Sequence, residues 1–240
     1  MILGRSLAAA VAGAVPLPIL DDWLVASIRR SMIRRIADAR GVDMDEDAIR
    51  AIADGAEAPA KWSELIGGGL AIRLLGRQWR KLVIAVVATK RAQAAAKNFE
   101  IATLFDHYCA RLHVGMGLED ATGKQVRLRI DQARRETDGG ISRHLFRRGL
   151  LAAAKTSVRA PIDIADVLTG GRITKLLTGG DEIEATVEVD EALEAQLKSE
   201  GSFLARSAAA IELQLAVDQN PYLDDLIDNF DAICTNEDSD

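Results

Sequence analysis

Apolar and polar residues alternate at helical spacing from the start of this chain. Residues 3–15 read as an Ala/Gly-rich helix whose small side chains permit close helix–helix approach. Pro16 and Pro18 end it, because proline lacks an amide donor and biases its predecessor away from helical angles. Asp21 or Asp22 then supplies an N-cap oxygen and a charge that suits a helix N-terminus. From there Leu24, Val25, Ile28, Met32, Ile33 and Ile36 form one broad apolar stripe. Arg30 and Arg34 lie opposite that stripe, Arg29 and Arg35 flank it, and Gly41 suits the C-cap. The unit is a small-residue helix, a proline stop and an amphipathic return helix.

The same reading carries along the chain. Asp43–Asp47 open a short helix that ends near Gly55, with Ile49 and Ile52 facing inward, and Gly55–Lys61 is a loop. Trp62–His113 is helical by composition, with a break or hinge at the triple glycine 67–69. The stretch from Leu70 exceeds a typical globular helix, so a second break is expected near Thr89–Lys97. Leu82–Ala88, "LVIAVVA", fits a buried helix or a strand. Val114–Lys124 reads as a loop, and Gln125–Thr137 as a basic helix stopped at Asp138-Gly139-Gly140. A further Ala-rich helix, Ile141–Arg159, precedes Pro161 and Asp166, a faint echo of Pro16 and Asp21. The two "LTGG" copies ending at Gly171 and Gly180 read as helix caps, since neither continues as a phosphate-binding loop. Glu182–Asp190 alternates apolar and polar residues, as a strand would. Glu191–Ala216 is helical with a break at Gly201. In "PYLDDLIDNF", Tyr222, Leu223, Leu226, Ile227 and Phe230 make a docking segment, for the body or for another protein. The expected fold class is all-α: a multi-helix bundle of helical hairpins, with at most one short strand or β-hairpin near residues 182–190.

Composition supports that class. Hydrophobic residues make up 48% of the chain and aromatics only 4%, with the strong helix formers alanine and leucine dominant. Charge divides the chain. Residues 181–240 carry a formal −15 and residues 1–180 carry +9, which separates a basic helical domain (1–180) from an acidic C-terminal helical segment and tail (181–240). The basic density peaks in Leu65–Phe99, where Arg73, Arg77, Arg80, Lys81, Lys90, Arg91 and Lys97 meet no acid. Two cysteines, Cys109 and Cys234, make no disulfide framework and fit a reducing compartment. No run reaches the ~18 apolar residues of a spanning helix. The N-terminus imitates a secretory signal, but its apolar part is Ala-rich and preceded by one positive charge, and the helical pattern runs on past the would-be cut. The expected location is therefore cytoplasmic.

Candidate chemistry is sparse. In "DHYCARLH", Cys109 and His113 are four apart, which places two metal-ligand types on one helix face, beside Asp106 and His107. A zinc site would need further ligands, since His107, six residues from His113, points elsewhere and His144 is the only other histidine. No Gly-x-Ser-x-Gly, P-loop or calcium-loop pattern occurs. Arg129, Arg134, Arg135, Arg143, Arg147 and Arg148 suit phosphate contacts, yet the chain is acidic overall and lacks aromatic stacking platforms, which disfavours nucleic acid. A membrane surface uses the cations better. Trp23, Trp62 and Trp79 stand beside basic helices, and arginine stems lie well on apolar surface with their charges at lipid phosphate. The expected contact residues are Trp23, Arg29, Arg30, Arg34, Arg35, Arg73, Arg77, Trp79, Arg80 and Lys81. Core packing in a bundle produces the same broad stripe on the second helix, so the two readings compete there.

The segment Ala8–Asp43 resembles the helical EcsC-like proteins and the related helical domain of bacterial membrane-associated GTPases of the YcjF type. The residues that carry the resemblance are Pro16, Pro18, Asp21, Met32, Ile33, Ile36, Ala37, Gly41, Val42 and Asp43. A looser similarity runs on to about His113. The resemblance implies a helical architecture, contact with the cytoplasmic face of the membrane and no catalytic role. The chain departs from the pattern at "KLVIAVVATKR", where a glycine-rich hairpin opened by proline is expected, and it has no GTPase motif of its own.

Taken together, these features predict a non-enzymatic helical protein without cofactor, peripheral to the inner membrane. Its expected partners are an anionic membrane surface or a protein such as a small GTPase, with self-association as a further expectation. The alternative is a soluble protein–protein interaction module that docks through Tyr222–Phe230. A metal-dependent enzyme at "DHYCARLH" stands third.

Overall fold

The amphipathic stretch after the prolines folds as a single helix, α2 (Leu20–Arg40), in the computed structural model, which describes residues 2–12, 20–55, 79–115, 117–138, 182–199, 202–218 and 221–237. Its stripe is a core face. Leu24, Ile28, Met32, Ile33 and Ile36 are buried, and Val25 packs at the margin. The helix ends as glycine at the cap dictates. Gly41 has φ +70°, its N–H donates to the Asp38 carbonyl at 3.1 Å, and the Val42 N–H donates to the Ala37 carbonyl at 3.0 Å. This pairing satisfies the last carbonyls of the helix. Helix α1 (Ile2–Ala12) packs against α2 and is buried over residues 3–10. Apart from Arg5 and Ser6 its residues are apolar, which suits an interior helix, and its alanines let neighbours approach.

After α2 the chain pairs Asp43–Met44 (β1) with Gly117–Leu118 (β2) in a two-residue parallel bridge. Helix α3 (Glu46–Asp54) follows, capped by the Asp45 carboxylate, which accepts from the Ala48 N–H at 2.6 Å. Helix α4 (Trp79–His107) runs without the break expected near Thr89–Lys97. Ala95, Ala96, Ala102, Leu104 and Phe105 are buried along it, and an alanine-rich, well-packed segment has no local reason to interrupt. The "LVIAVVA" segment is thus helical rather than extended. A π-helical turn, Tyr108–Leu112, continues α4 and closes with the His113 N–H donating to the Tyr108 carbonyl at 2.8 Å.

Helix α5 (Asp120–Glu136) starts five residues before the expected Gln125. Gly123 explains the early start in part: a Cβ there would stand 3.1 Å from the Ala48 Cα, so glycine allows α5 to lie close on α3. Helices α6 (Glu182–Lys198), α7 (Phe203–Asp218) and α8 (Tyr222–Glu237) complete the described elements. The strand expected at 182–190 is the first half of α6. Its alternation is overridden because Val189 and Leu193, four apart, are both buried, and this is helical spacing. The break expected at Gly201 separates α6 from α7. The Ile141–Arg159 helix, the echo at Pro161 and both "LTGG" copies lie outside the described residues.

The class is all-α. Helix α1 touches α2, α4, α6 and α7, while α3, α5 and α8 stack on the far side of α2 and α4. Val189, Leu193, Leu204, Ile211, Leu226 and Phe230 from the acidic segment share one hydrophobic core with Leu7, Ile28 and Phe105 from the basic one.

Candidate functional site

Arginines on α2 were the leading contact candidates, and most of those with described side chains face acids of the chain itself. Arg30 pairs with buried Asp54 at the end of α3, at 2.8 Å. Arg34 pairs with Glu46 at the start of α3. Arg35 reaches α6, with Asp190 at 2.5 Å and Glu194 at 3.3 Å. Arg29 is half-buried. Arg30, Arg34 and Arg35 are thus each paired with a carboxylate of the chain itself, Arg34 at the surface. Trp23 lies on α2, and Trp79, Arg80 and Lys81 open α4, while Arg73 and Arg77 fall outside the described residues.

A residue that drew no notice as chemistry anchors this charge group. Arg5 on α1 is 0% exposed. Its Nη1 donates to Ser31 Oγ at 2.7 Å and to Asp190 Oδ1 at 2.5 Å, and its Nη2 donates to Glu194 Oε2 at 2.9 Å. Ser31 also donates to Asp190. Burial alone pushes the Asp190 carboxyl up, but hydrogen bonds from Arg35, Ser31 and Arg5 outweigh it and hold the carboxyl below its usual value. Glu194 behaves alike: burial raises it, and Arg35 and Arg5 bring it below the ordinary glutamate value. At Asp54 the balance is reversed. Burial raises its carboxyl, and Arg30, Arg29 and Arg127 recover only part of that. These groups join α1, α2, α3 and α6, so they are fastenings of the bundle.

The docking segment is also occupied. On α8, Tyr222, Leu226 and Phe230 are buried, and Leu223 and Ile227 pack at the margin of the same core, chiefly against α5. The Tyr222 hydroxyl donates to Glu100 Oε1 at 3.4 Å, and Arg134 holds the other oxygen of Glu100 at 2.8 Å. Burial and the Glu100 carboxylate push the Tyr222 phenol up to about 12. Asn229 donates to Thr137 Oγ1 at 2.9 Å, and Asp231 pairs with His107 Nε2 at 2.8 Å. Of the two destinations the sequence allowed, this segment takes the body.

The "DHYCARLH" segment forms part of a concave site, by another route than metal ligation. Asp106 is bound to Arg40 through two hydrogen bonds of 2.8 and 2.7 Å. Cys109 is buried in the π-helical turn, and burial with the nearby Asp106 pushes its thiol up to about 12, the wrong direction for a free thiol acting as a nucleophile. Among the described residues, no three His, Cys, Asp or Glu side chains cluster for a metal ion. Instead a cleft of about 590 Å³ opens between the π-helical turn, the β2 segment, α5 and the end of α8. Tyr108, Leu112, His113, Thr122, Gln125, Arg129, Cys234 and Thr235 line it, with Val114 and Gly117. His113 Nε2 is buried there without a hydrogen-bond partner. The sequence pointed to His113 through its spacing from Cys109. It gave no sign of Thr122, Gln125 and Thr235, which tertiary packing alone brings to the same cleft.

Comparison with family models, with curated proteins and with solved structures finds no match to this chain.

Proposed function

We propose that this chain is a non-enzymatic helical protein that engages the anionic cytoplasmic face of a membrane, acting there as a lipid-contacting or GTPase-associated adaptor. One observation carries the reading: Leu65–Phe99 holds seven cations and no acid, with Trp79 among them. Arg30, Arg34 and Arg35 already answer acids on α3 and α6, so the surface role shifts from α2 to this stretch, whose Arg80, Lys81, Lys90 and Arg91 lie in the first half of α4. Juxtaposed cations near an anionic leaflet contribute about 1 kcal/mol each, and a tryptophan settles at the headgroup level. No described helix is long and apolar enough to cross a membrane, so peripheral contact is the mode proposed. The resemblance of Ala8–Asp43 to EcsC-like proteins and to the helical domain of YcjF-type membrane-associated GTPases suggests the partner class.

Vesicle flotation tests the reading. The protein should float with phosphatidylglycerol vesicles at low salt, release at high salt as screening shortens its reach, and ignore phosphatidylcholine. The variant Arg73→Gln/Arg77→Gln/Arg80→Gln/Lys81→Gln should lose nearly all binding, about four charges' worth. Absence of flotation at low salt would overturn the proposal.

A further inference from the structure

We propose that the outer face of α5 pairs with the same face of a second copy of this chain, as an antiparallel helix pair centred on Leu128 and related by a two-fold axis. This goes beyond the membrane reading, which rests on other residues.

Helix α5 turns one side inward, with Val126, Ile130 and Ala133 buried. Its opposite side is bare. Among the described residues, the large apolar side chains in the open are Val114, 94% exposed, and Leu128, 66% exposed. A lone leucine on a surface is ordinary. Two observations give this one a partner. The first is spacing. Ala121, Gln125, Leu128, Gln132 and Arg135 follow one another at intervals of four and three, so they form one seam along the outward side. All but Gln132 are exposed. Leu128 is the middle residue of Asp120–Glu136. A two-fold axis at that point lays the seam on its own copy, as an isologous contact requires. Val114 lines the cleft together with Gln125, which lies about one turn from Leu128, so it adds apolar surface beside the seam.

The second observation is charge. In the antiparallel arrangement, Lys124 of each copy comes opposite Asp131 of the other, and Asp120 comes opposite Arg135. One register forms both pairs. Parallel pairing would instead set each charge against its like, so the charges select the antiparallel orientation. Within one copy Lys124 meets Asp120 at 2.6 Å and Asp131 meets Arg127 at 2.8 Å. The pairs between copies extend these networks and supply orientation more than affinity. Arg129, which the same register brings near its own copy, is half-buried in the cleft wall and engaged within the chain. A contact along one helix about 25 Å long belongs with the small, transient interfaces.

Sedimentation equilibrium of the full-length protein at low salt tests the proposal. Between about 10 μM and 1 mM the mass should rise from one chain towards two. Leu128→Glu, at a position that is 66% exposed, should keep its far-UV circular dichroism and weaken the dimer about tenfold or more. Cross-linking reads the orientation. Ala121→Cys mixed with Arg135→Cys should give a mixed disulfide under mild oxidation, because antiparallel pairing sets residues 121 and 135 side by side. Ala121→Cys alone should give little, since the two copies of that position then stand about 20 Å apart along the helices. Cys109 and Cys234 are buried and should stay out of the reaction. A single-chain mass throughout would leave this face to another occupant and overturn the proposal. So would a dimer indifferent to Leu128→Glu, or Ala121→Cys cross-linking to itself as readily as to Arg135→Cys.

Discussion

Arg5 shows how much one side chain in an unexpected place decides. A guanidinium that is 0% exposed is tolerable only because Asp190, Glu194 and Ser31 meet it. The two sides of this pair are not equivalent. Removing Asp190, whose side chain is 21% exposed, strips the buried cation of one of its acids, whereas removing Arg5 leaves Asp190 with Arg35 and Ser31. Asp190→Ala should therefore cost about 3 kcal/mol in urea unfolding at pH 7, and Arg5→Met clearly less. Acid should close the gap. The Asp190 carboxyl in the fold lies below its ordinary value of 3.8, so its contribution is complete above that pH and disappears as pH falls through the depressed value. Wild type and Asp190→Ala should converge there. A gap that persists at low pH would mean that the aspartate acts by packing alone.

At the scale of elements, the ends of helices were more legible than their middles. The α2 stripe, the Gly41 cap and the Asp45 cap all follow from local chemistry, and local chemistry is what a sequence displays. Helix α6 was misread because Glu182–Asp190 alternates by itself. Its helical period appears only when Val189 is taken with Leu193, and Asp190 with Glu194, and the partners that make those pairs matter, Arg5 and Arg35, are distant in sequence. The cleft was half legible for the same reason: His113 had a local signal, while Thr122, Gln125 and Thr235 had none. The junction after α3 joins both kinds of information. Gly55 has φ +60°, and a Cβ there would stand 2.9 Å from the Arg127 guanidinium carbon. Arg127 donates to the Ile52 and Ala53 carbonyls, so it caps the C-terminus of α3 from α5. Gly55→Ala should cost about 1–3 kcal/mol from backbone strain alone. Thermal unfolding of Gly55→Ala beside Gly55→Asn checks this: at φ +60° and ψ −140° the backbone lies in a region essentially confined to glycine, so asparagine should fare no better than alanine.

For the molecule as a whole, the open matter is whether the basic and acidic parts of the chain are one folding unit. Their charges suggest two parts, −15 against +9, but the core does not respect that border. Phe230 and Leu226 are 0% exposed in the same apolar cluster as Phe105 and Ile130, and the Arg5 group ties α6 to α1. Placement of the tryptophans allows a direct test. Trp23, Trp62 and Trp79 all precede residue 180, so their fluorescence reports only on the basic part, whereas far-UV circular dichroism reports on every helix. Phe230→Ala should destabilise by about 3–5 kcal/mol, the usual cost of emptying a buried phenylalanine site. With one core, the tryptophan transition must shift to lower urea by the same amount as the dichroism transition, since coincident probes are the mark of a single cooperative unit. If the two parts unfolded independently, the substitution would move part of the dichroism signal and leave the tryptophan transition where it was.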